Sequence, residues 1–507
     1  SLYISNALFF ALGIINHYFY QFRGNPFELS DIQMAQTAFT VLKNYQLKID
    51  SILLFCVCME VCIVLSIRLT DIRIAKDRKE IQADLLLGAL LCMSAFVNAP
   101  EVSYWNVGAT SREVGYLNSF FAYARKDFDH KKPEGYSLND VQEILGRYHE
   151  TKDTKTPNII VIMNESFADL PEVYGFETKV DSMPFIHALN ENTVKGNMLV
   201  SVFGGTTANT EYEFLTGNTM AFFSDGNVPY MQCVKRKQDS IVWRLRRADY
   251  QTLAFHPYTG ENYNRDKVYP LLGFESYLSI EDDLPYKETL RTYVSDDSDV
   301  EDIIDLYEKR DPDEPFFLFN VTMQNHGGYS QYESQVDATV KPLKKELQQI
   351  SLIEYLNLVK KSDEAFEKLV SYFENAEEET IILMFGDHQP GLDTEIYDAM
   401  DANLYDSLEE RMKLYTVPFV MWANFEIDSE ESVLTSPNYL RAILLQKAGM
   451  SLSCYEQFLL ECKEEYPAMN AFGYYDSKGS LHAVDEAVDE EMLKEYYILQ
   501  YANVYDR

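Results

Sequence analysis

With 507 residues, 46% hydrophobic and 14% aromatic, the chain is long and apolar enough for more than one packed unit, which excludes a disordered polymer. Its formal net charge is −36, from 80 acidic against 44 basic residues. That balance excludes nucleic acid as a partner, because phosphate-backbone binding needs a basic footprint, and it argues against adhesion to anionic lipid by a generally basic surface.

The first hundred residues read as membrane. Leu2–Phe22, Ser51–Leu69 and Ala83–Val97 are three apolar stretches, and a span needs about 20 mostly apolar residues. The first carries Asn6, Asn16 and His17, the second carries Glu60, and the third is short. Arg68, Arg73, Lys76, Arg78 and Lys79 crowd the loop after the second stretch. By the positive-inside rule that loop is cytoplasmic, and everything after about Pro100 is extracytoplasmic. The chain opens on Ser1, so leading segments are expected to be missing.

Residues 101–156 read as a juxtamembrane connector. Its segment YLNSFFAYARKDF is amphipathic and suited to a membrane interface. Ser137 and Asn139 signal a short helix, and Thr156-Pro157 marks the next entry point.

Residues 157–507 read as an α/β catalytic domain, a mostly parallel sheet flanked by helices. Continuous apolar runs occur at Ile159–Met163, Met198–Phe203, Thr252–Phe255, Phe316–Val321, Ile381–Phe385 and Val417–Trp422. Such runs suit strands buried on both faces. Helical patterns intervene, as at Lys344–Asn375 and Asn438–Lys447. Five of the runs lead straight into polar groups: Asn164-Glu165-Ser166, Gly204-Gly205-Thr206-Thr207, His256, Asn325-His326 and Gly386-Asp387-His388. Open α/β sheets bind ligands beyond the carboxyl ends of their strands, so parallel strands would gather all five at one edge.

Glu165, Asp387 and His388 are a candidate site for a divalent metal, since two carboxylates and an imidazole suit Mn²⁺, Mg²⁺ or Zn²⁺. The alternative is a loop aspartate capping a helix beside an exposed histidine. The segment Gly204–Glu211 passes from strand to helix, where a threonine hydroxyl feels the positive end of the helix dipole and could act as a nucleophile. Its alternative is an ordinary N-cap, with Thr and a following Glu as a capping box. Arg265 offers a fork for phosphate oxygens, and His256 and His326 could bind substrate or move a proton, or could be structural. His17, His130, His149, His187 and His482 follow no such strand end and read as structural or exposed. Cys454 and Cys462 could pair outside the cell but read better as separate thiols.

The motifs NESF (Asn164–Phe167), G-x-T-x-N-T-E (Gly205–Glu211), YNR (Tyr263–Arg265), NHGGY (Asn325–Tyr329) and FGDHQP (Phe385–Pro390) occur in this order, with VPFVMWANF and SPNYL after them. As an ordered set they resemble the lipoteichoic acid synthases, a branch of the alkaline phosphatase/sulfatase superfamily, over roughly 157–475. The resemblance implies a membrane-anchored phosphoglycerol transferase that uses one divalent metal ion, manganese in that family. It implies that Thr207, with Thr206 as fallback, is both nucleophile and metal ligand, alongside Glu165, Asp387 and His388. It implies substrate contacts at Arg265, His256, Tyr263 and His326, with His326 also catalytic. The implied donor is phosphatidylglycerol or a related anionic lipid headgroup, and the implied acceptor a glycerol-phosphate polymer, glycan or glycolipid.

Two positions depart from the family: Tyr258 stands where some members have Asp, and Tyr263 where some have Trp. The family has five membrane spans where three are read here. Within the superfamily, a phosphoethanolamine transferase shares the same threonine and metal logic. A sulfatase would need a C/S-x-P-x-R run, which the sequence lacks. A non-catalytic membrane sensor or scaffold is a further alternative, against which the intact Glu165, Thr207, Asp387 and His388 stand.

Overall fold

The apolar runs of the sequence become strands with both faces covered. A computed structural model of the chain describes residues 2–23, 27, 30–33, 49–69, 86, 93–94, 97, 114–127, 132–150, 155–224, 226–329 and 338–506. They group into two compact units, one of residues 1–130 with 224–226 and the other of 131–223 with 227–507.

In the first unit, α1 (Leu2–Arg23) and α2 (Ser51–Leu69) are the long helices. Among the described residues one helix, the 19-residue α2, is long and apolar enough to cross a membrane, with a mean hydropathy of 2.5 over its most apolar 18 residues. The expected first span forms the helix Leu2–Arg23, whose described apolar stretch is Phe9–Phe19, and the expected third span lies almost wholly outside the described residues. The polar residues in these segments pair with each other. Asn6 donates to Glu60, and His17 stands 3.0 Å from Asp50. Satisfying polar groups from one helix to the next is what an apolar surround demands.

The second unit is built on an eight-stranded sheet. Its strands are β1 (Asn158–Asn164), β2 (Thr193–Leu199), β3 (Gln251–His256), β4 (Ser276–Ser279), β5 (Phe316–Val321), β6 (Thr380–Gly386), β7 (Thr416–Ala423) and β8 (Glu430–Thr435). Their order across the sheet is β8-β2-β7-β6-β1-β5-β3-β4. β6, β1, β5, β3 and β4 run parallel, and β8 runs parallel to β2. β7 is antiparallel to both β6 and β2, so seven strands share one direction and β7 opposes them. The run Val417–Trp422 is therefore the strand that departs from the expected parallel set. It is also the run among the six that leads into no candidate site residue. Every residue of β1, β5 and β6 is buried, which accounts for their unbroken Ile, Val, Leu and Phe content. Each such side chain removed from water contributes about 1.5–3 kcal/mol.

One strand boundary differs from the sequence reading. The run Met198–Phe203 is strand only as far as Leu199. Beyond it, Val200 is held by the carbonyl of Tyr415 and by the Asn470 amide, and Gly204 and Gly205 have positive φ of 66° and 155°. The chain leaves the sheet there because these contacts and glycines favour a loop.

Helices α3 (Thr207–Thr216), α4 (Arg265–Leu272), α5 (Asp296–Lys309), α6 (Ile350–Phe373) and α7 (Pro437–Lys447) surround the sheet. α3 packs on α7, and α5 on α6. The short helix Leu138–Leu145 carries a Ser137–Asp140 capping box and packs within this unit against Cys454–Glu465 and Glu491–Tyr501. Cys454 and Cys462 are separate thiols, the latter 3.3 Å from the Tyr439 hydroxyl.

Gly386 ends β6, where a Cβ would stand 2.0 Å from the carbonyl oxygen of Phe167. Because that obstacle is backbone, Gly386→Ala is expected to cost about 3 kcal/mol or more, read as a lowered denaturation midpoint.

Glu213 of α3 is fully buried, and burial pushes its pKa up from the usual 4.5 to about 8. Between those values the folded chain keeps a proton that the unfolded chain releases, so stability falls as pH rises through the window. Glu213→Gln is expected to match the parent near pH 4 and to exceed it by up to about 5 kcal/mol at pH 8.5, measured by urea denaturation at the two pH values.

Candidate metal and phosphoryl-transfer site

At the carboxyl edge of the sheet, parallel neighbours β1 and β6 end side by side, with Asn164 in register with Gly386. The residues that follow, Glu165 on one strand and Asp387-His388 on the other, are thereby delivered to the same place. Glu165, Asp387 and His388 are buried and offer ligand atoms that all lie within 4.8 Å of one another. His388 Nε2 stands 3.2 Å from Asp387 Oδ2 and 3.7 Å from Glu165 Oε1.

Backbone and side-chain bonds fix each group. Asp387 Oδ1 accepts from the backbone N–H of Ser166 (2.7 Å) and of His388 (2.8 Å). Glu165 takes the Ser166 hydroxyl on Oε1 at 2.8 Å, and its own backbone N–H donates to Thr322 Oγ1. Ser166 has φ 51°, the strained turn that swings its N–H toward Asp387. His388 Nδ1 donates to the Gln389 carbonyl at 2.9 Å, which directs the lone pair of Nε2 toward the carboxylates.

These residues fit a divalent cation. Asp387 Oδ2 is buried without a hydrogen-bond partner, a costly state for a carboxylate oxygen. Burial, with Glu165 repulsion next, pushes the Asp387 carboxyl up to about 7. Burial disfavours protonation of His388, but the two carboxylates outweigh it and its pKa is raised. A cation held by Glu165, Asp387 and His388 would neutralise the crowding that protons otherwise relieve.

The adjoining hydroxyl belongs to Thr207, the first residue of α3. Its Oγ1 donates to Glu165 Oε2 at 3.3 Å and lies 3.5 Å from His388 Nε2. Thr206, at the N-cap with φ 68°, makes no side-chain capping bond. The capping-box alternative is thus overturned, because Glu211 turns away to another partner. Each polar residue of T-x-N-T-E has its own connection: Asn209 to the Asn227 carbonyl at 2.9 Å, Thr210 to the Asp387 carbonyl at 2.7 Å, and Glu211 to Arg265.

Arg265 begins α4 and is buried, its Nε and Nη2 donating to Glu211 Oε2 at 3.1 and 2.9 Å. The sequence offered Arg265 as a fork for phosphate without foreseeing this partner. The pair is fully desolvated, and removing either member leaves a buried charge uncompensated. Tyr263, held at φ 57°, places its ring 5.3 Å from the guanidinium, and burial raises its phenol pKa.

His256 ends β3 and is buried; its Nδ1 donates to the Val321 carbonyl at 2.8 Å, and burial with nearby Arg265 holds it neutral. His326 follows β5 and is half-buried, with Nδ1 3.0 Å from the Tyr293 hydroxyl. Burial, His388 and Arg291 lower it to about 4, so it is neutral at physiological pH. Arg291 braces this loop through the carbonyls of Gln324 (3.0 Å) and His326 (2.7 Å). Asn325 donates to Asn164 Oδ1 at 2.9 Å, tying the NHGGY and NESF motifs together.

The structure gathers Glu165, Thr207, Asp387 and His388 by direct contact; Tyr263 and His326 feel the Asp387 charge, whereas Arg265 and His256 are tied to Glu211 and to each other. Ser166, Thr322, Glu211 and Arg291 escaped the sequence reading. Ser166 and Glu211 lay inside motifs already singled out; Arg291 and Thr322 carried no local signal.

Of the remaining histidines, His187 joins a second acidic group. Its two ring nitrogens pair with Asp169 (2.9 Å) and Asp181 (2.8 Å), and the Asp169 bond, with Asp181 after it, outweighs the opposing effect of burial and takes it to about 9. It is a charged cross-link between two loops.

Residues 157–450 match the sulfatase family, more than half of the chain. A putative cyclic β-1,2-glucan modification protein of Rhizobium meliloti is 30% identical over 354 residues, 67% of this chain and 53% of its own length. The chain spans about half the length of the curated relatives it matches. Among solved structures, the Streptococcus pyogenes phosphoglycerol transferase GacH in complex with sn-glycerol-1-phosphate superposes with a TM-score of 0.61 at 20% identity, covering 74% of this chain and 96% of that one. The Listeria monocytogenes lipoteichoic acid synthase LtaP superposes with a TM-score of 0.52 at 16% identity, covering 72% and 97%. At these identities the two structures establish a shared fold. The chain belongs to the sulfatase family.

Asp387→Asn separates the two consequences of the carboxylate crowding. In EDTA the variant should be as stable as the parent or more so, because a repulsive charge is gone. In calorimetric titration with Mn²⁺ it should bind about 10²-fold more weakly. A variant that keeps parental affinity removes Asp387 from the ligand set.

Proposed function

We propose that the chain is a metal-dependent phosphoglycerol transferase acting at the outer face of a membrane. It takes glycerol phosphate from phosphatidylglycerol and passes it to a cell-envelope glycerol-phosphate, glycan or glycolipid acceptor. The single observation that carries this reading is the hydroxyl of Thr207, at the N-terminus of α3 and within hydrogen-bond reach of both Glu165 and His388. The motif resemblance to the lipoteichoic acid synthases supplies the donor. The relative named for glucan modification and the fold neighbour solved with sn-glycerol-1-phosphate are consistent with a glycan acceptor and a glycerol-phosphate group. α2 supplies a hydrophobic helix of spanning length.

Glu165, Asp387, His388 and Thr207 would hold one divalent ion, Mn²⁺ by analogy with the resembled family. Such an ion, when bound, lowers the pKa of an adjacent hydroxyl and offsets charge on phosphoryl oxygens. In the first step Thr207 Oγ attacks phosphorus and the P–O bond to diacylglycerol breaks. The threonine proton passes to the departing diacylglycerol oxygen. In the second step an acceptor hydroxyl attacks the same phosphorus, the bond to Thr207 Oγ breaks, and the acceptor's proton returns to the threonine. The N-terminal N–H groups of α3 face the charge that builds during both steps. Arg265, immobilised through Nε and Nη2 by Glu211, directs its remaining donors to phosphate oxygens. His326, neutral, accepts the hydrogen bond of the leaving or attacking hydroxyl, and His256 and Tyr263 line the glycerol-phosphate pocket.

The test is mass spectrometry of the parent after exposure to phosphatidylglycerol, beside Thr207→Ala. A glycerophosphoryl adduct on the Thr207 peptide is expected, and a loss of transfer of about 10³-fold or more in the variant with unchanged thermal melting. Undiminished turnover by Thr207→Ala would falsify the assignment. An adduct formed from phosphatidylethanolamine in preference to phosphatidylglycerol would move the chain to the phosphoethanolamine transferases.

A further inference from the structure

A short hairpin beside the site holds His326 by two separate means. Its strands, Thr289–Leu290 and Tyr293–Val294, pair antiparallel, with Leu290 opposite Tyr293. The turn between them sets Arg291 at φ 63°. Three bonds from this hairpin and from the start of α5 just after it secure the NHGGY loop. Arg291 Nη2 donates to the carbonyls of Gln324 (3.0 Å) and His326 (2.7 Å), and the Asp296 N–H donates to Gln324 Oε1 (3.1 Å).

A fourth contact is of another kind. The Tyr293 hydroxyl lies 3.0 Å from His326 Nδ1, on the ring rather than the main chain. The two ring centroids are 5.1 Å apart, and Tyr258 packs on Tyr293 at 5.9 Å. Tyr293 is 2% exposed, so bulk water does not compete for the place of that hydroxyl. The loop is thus held without the phenol oxygen, and what the oxygen adds is a bond to the imidazole.

A neutral imidazole carries one N–H and one lone pair, and the partner of one nitrogen decides the role of the other. His326 is neutral at physiological pH. The transfer proposed above asks this ring to accept a hydrogen bond from an alcohol. Nδ1 faces the phenol, so Nε2 is the nitrogen that would accept. That role puts the ring proton on Nδ1, where the Tyr293 oxygen is in place to meet it. His388 is oriented by the same logic, its Nδ1–H given to the Gln389 carbonyl.

We infer that Tyr293 is a positioning residue: its hydroxyl oxygen accepts from His326 Nδ1–H and so commits the Nε2 lone pair to the alcohol that leaves or attacks at phosphorus. Tyr293 forms and breaks no bond of its own in the transfer. His326 keeps its proton throughout, while the proton of Thr207 passes to the departing oxygen. The inference rests on the transferase reading for its chemistry, and the bond between the two side chains is tested apart from turnover.

Tyr293→Phe in the full chain keeps the ring and removes the oxygen. Two donors are compared: phosphatidylglycerol and a p-nitrophenyl diester of glycerol phosphate, whose nitrophenolate departs as an anion and presents no O–H to His326. The variant is expected to melt like the parent and to lose about tenfold in kcat for diacylglycerol release with KM unchanged. Its burst of nitrophenolate should match the parent's. In a His326→Ala background, Tyr293→Phe should cost nothing further. Equal losses on both donors, a further loss in the His326→Ala background, or parental release of diacylglycerol would each overturn the inference. Nitrogen NMR of the chain isotope-labelled at its histidines, with the His326 signals assigned from His326→Ala, reads the bond directly. Nδ1 of His326 is expected to carry the proton in the parent and to lose that fixed tautomer in Tyr293→Phe. A parent inactive on both donors sinks the transferase reading, and the Tyr293 bond then stands on this spectrum alone. A parent protonated at Nε2 instead overturns the inference whatever the activity.

Discussion

Two carboxylates, Glu165 and Asp387, are forced together in a buried place where neither can reach water. Everything around them answers to that repulsion. Ser166 supplies a backbone N–H and a hydroxyl to the pair, at the expense of a left-handed backbone. The Gln389 carbonyl fixes the tautomer of His388 so that a lone pair faces the acids. One oxygen, Asp387 Oδ2, is still left without a hydrogen bond. A protein does not maintain such a concentration of negative charge for stability, since burying it costs several kcal/mol. The arrangement makes physical sense as a seat for a cation, whose charge turns the same repulsion into affinity.

The sheet is the device that enforces the crowding. Because β1 and β6 are adjacent and parallel, both end at one edge, and the residues after them have nowhere else to go. Gly386 is small because the Phe167 carbonyl occupies the space where a side chain would stand. The same edge receives the loops after β2, β3 and β5, which bring Thr207, His256 and His326. β7, the strand that opposes the others, contributes no such residue and stands between β6 and β2.

Long-range hydrogen bonds tie the segments around the site to one another. Glu211 locks Arg265, Arg291 braces the His326 loop, and Asn325 joins Asn164 across neighbouring strand ends. Each bond connects segments separated by tens of residues, so the geometry belongs to the folded sheet rather than to any one loop.

The sequence alone marked the central buried strands and a roster of candidate chemistry-bearing residues, but not β4, β8 or most of β2. Burial on both faces writes itself into a strand as an unbroken apolar run, and Ile159–Met163, Phe316–Val321 and Ile381–Phe385 are nearly the observed strands for that reason. The ordered motifs marked Glu165, Thr207, Arg265, His326 and Asp387-His388 because each follows a strand or opens a helix. Tertiary structure alone decided the direction of β7, since hydrophobicity reads the same forwards and backwards. It also decided that Glu211 serves Arg265 rather than a helix cap. Those outcomes depend on which distant segment arrives alongside, and local sequence periodicity carries no record of that.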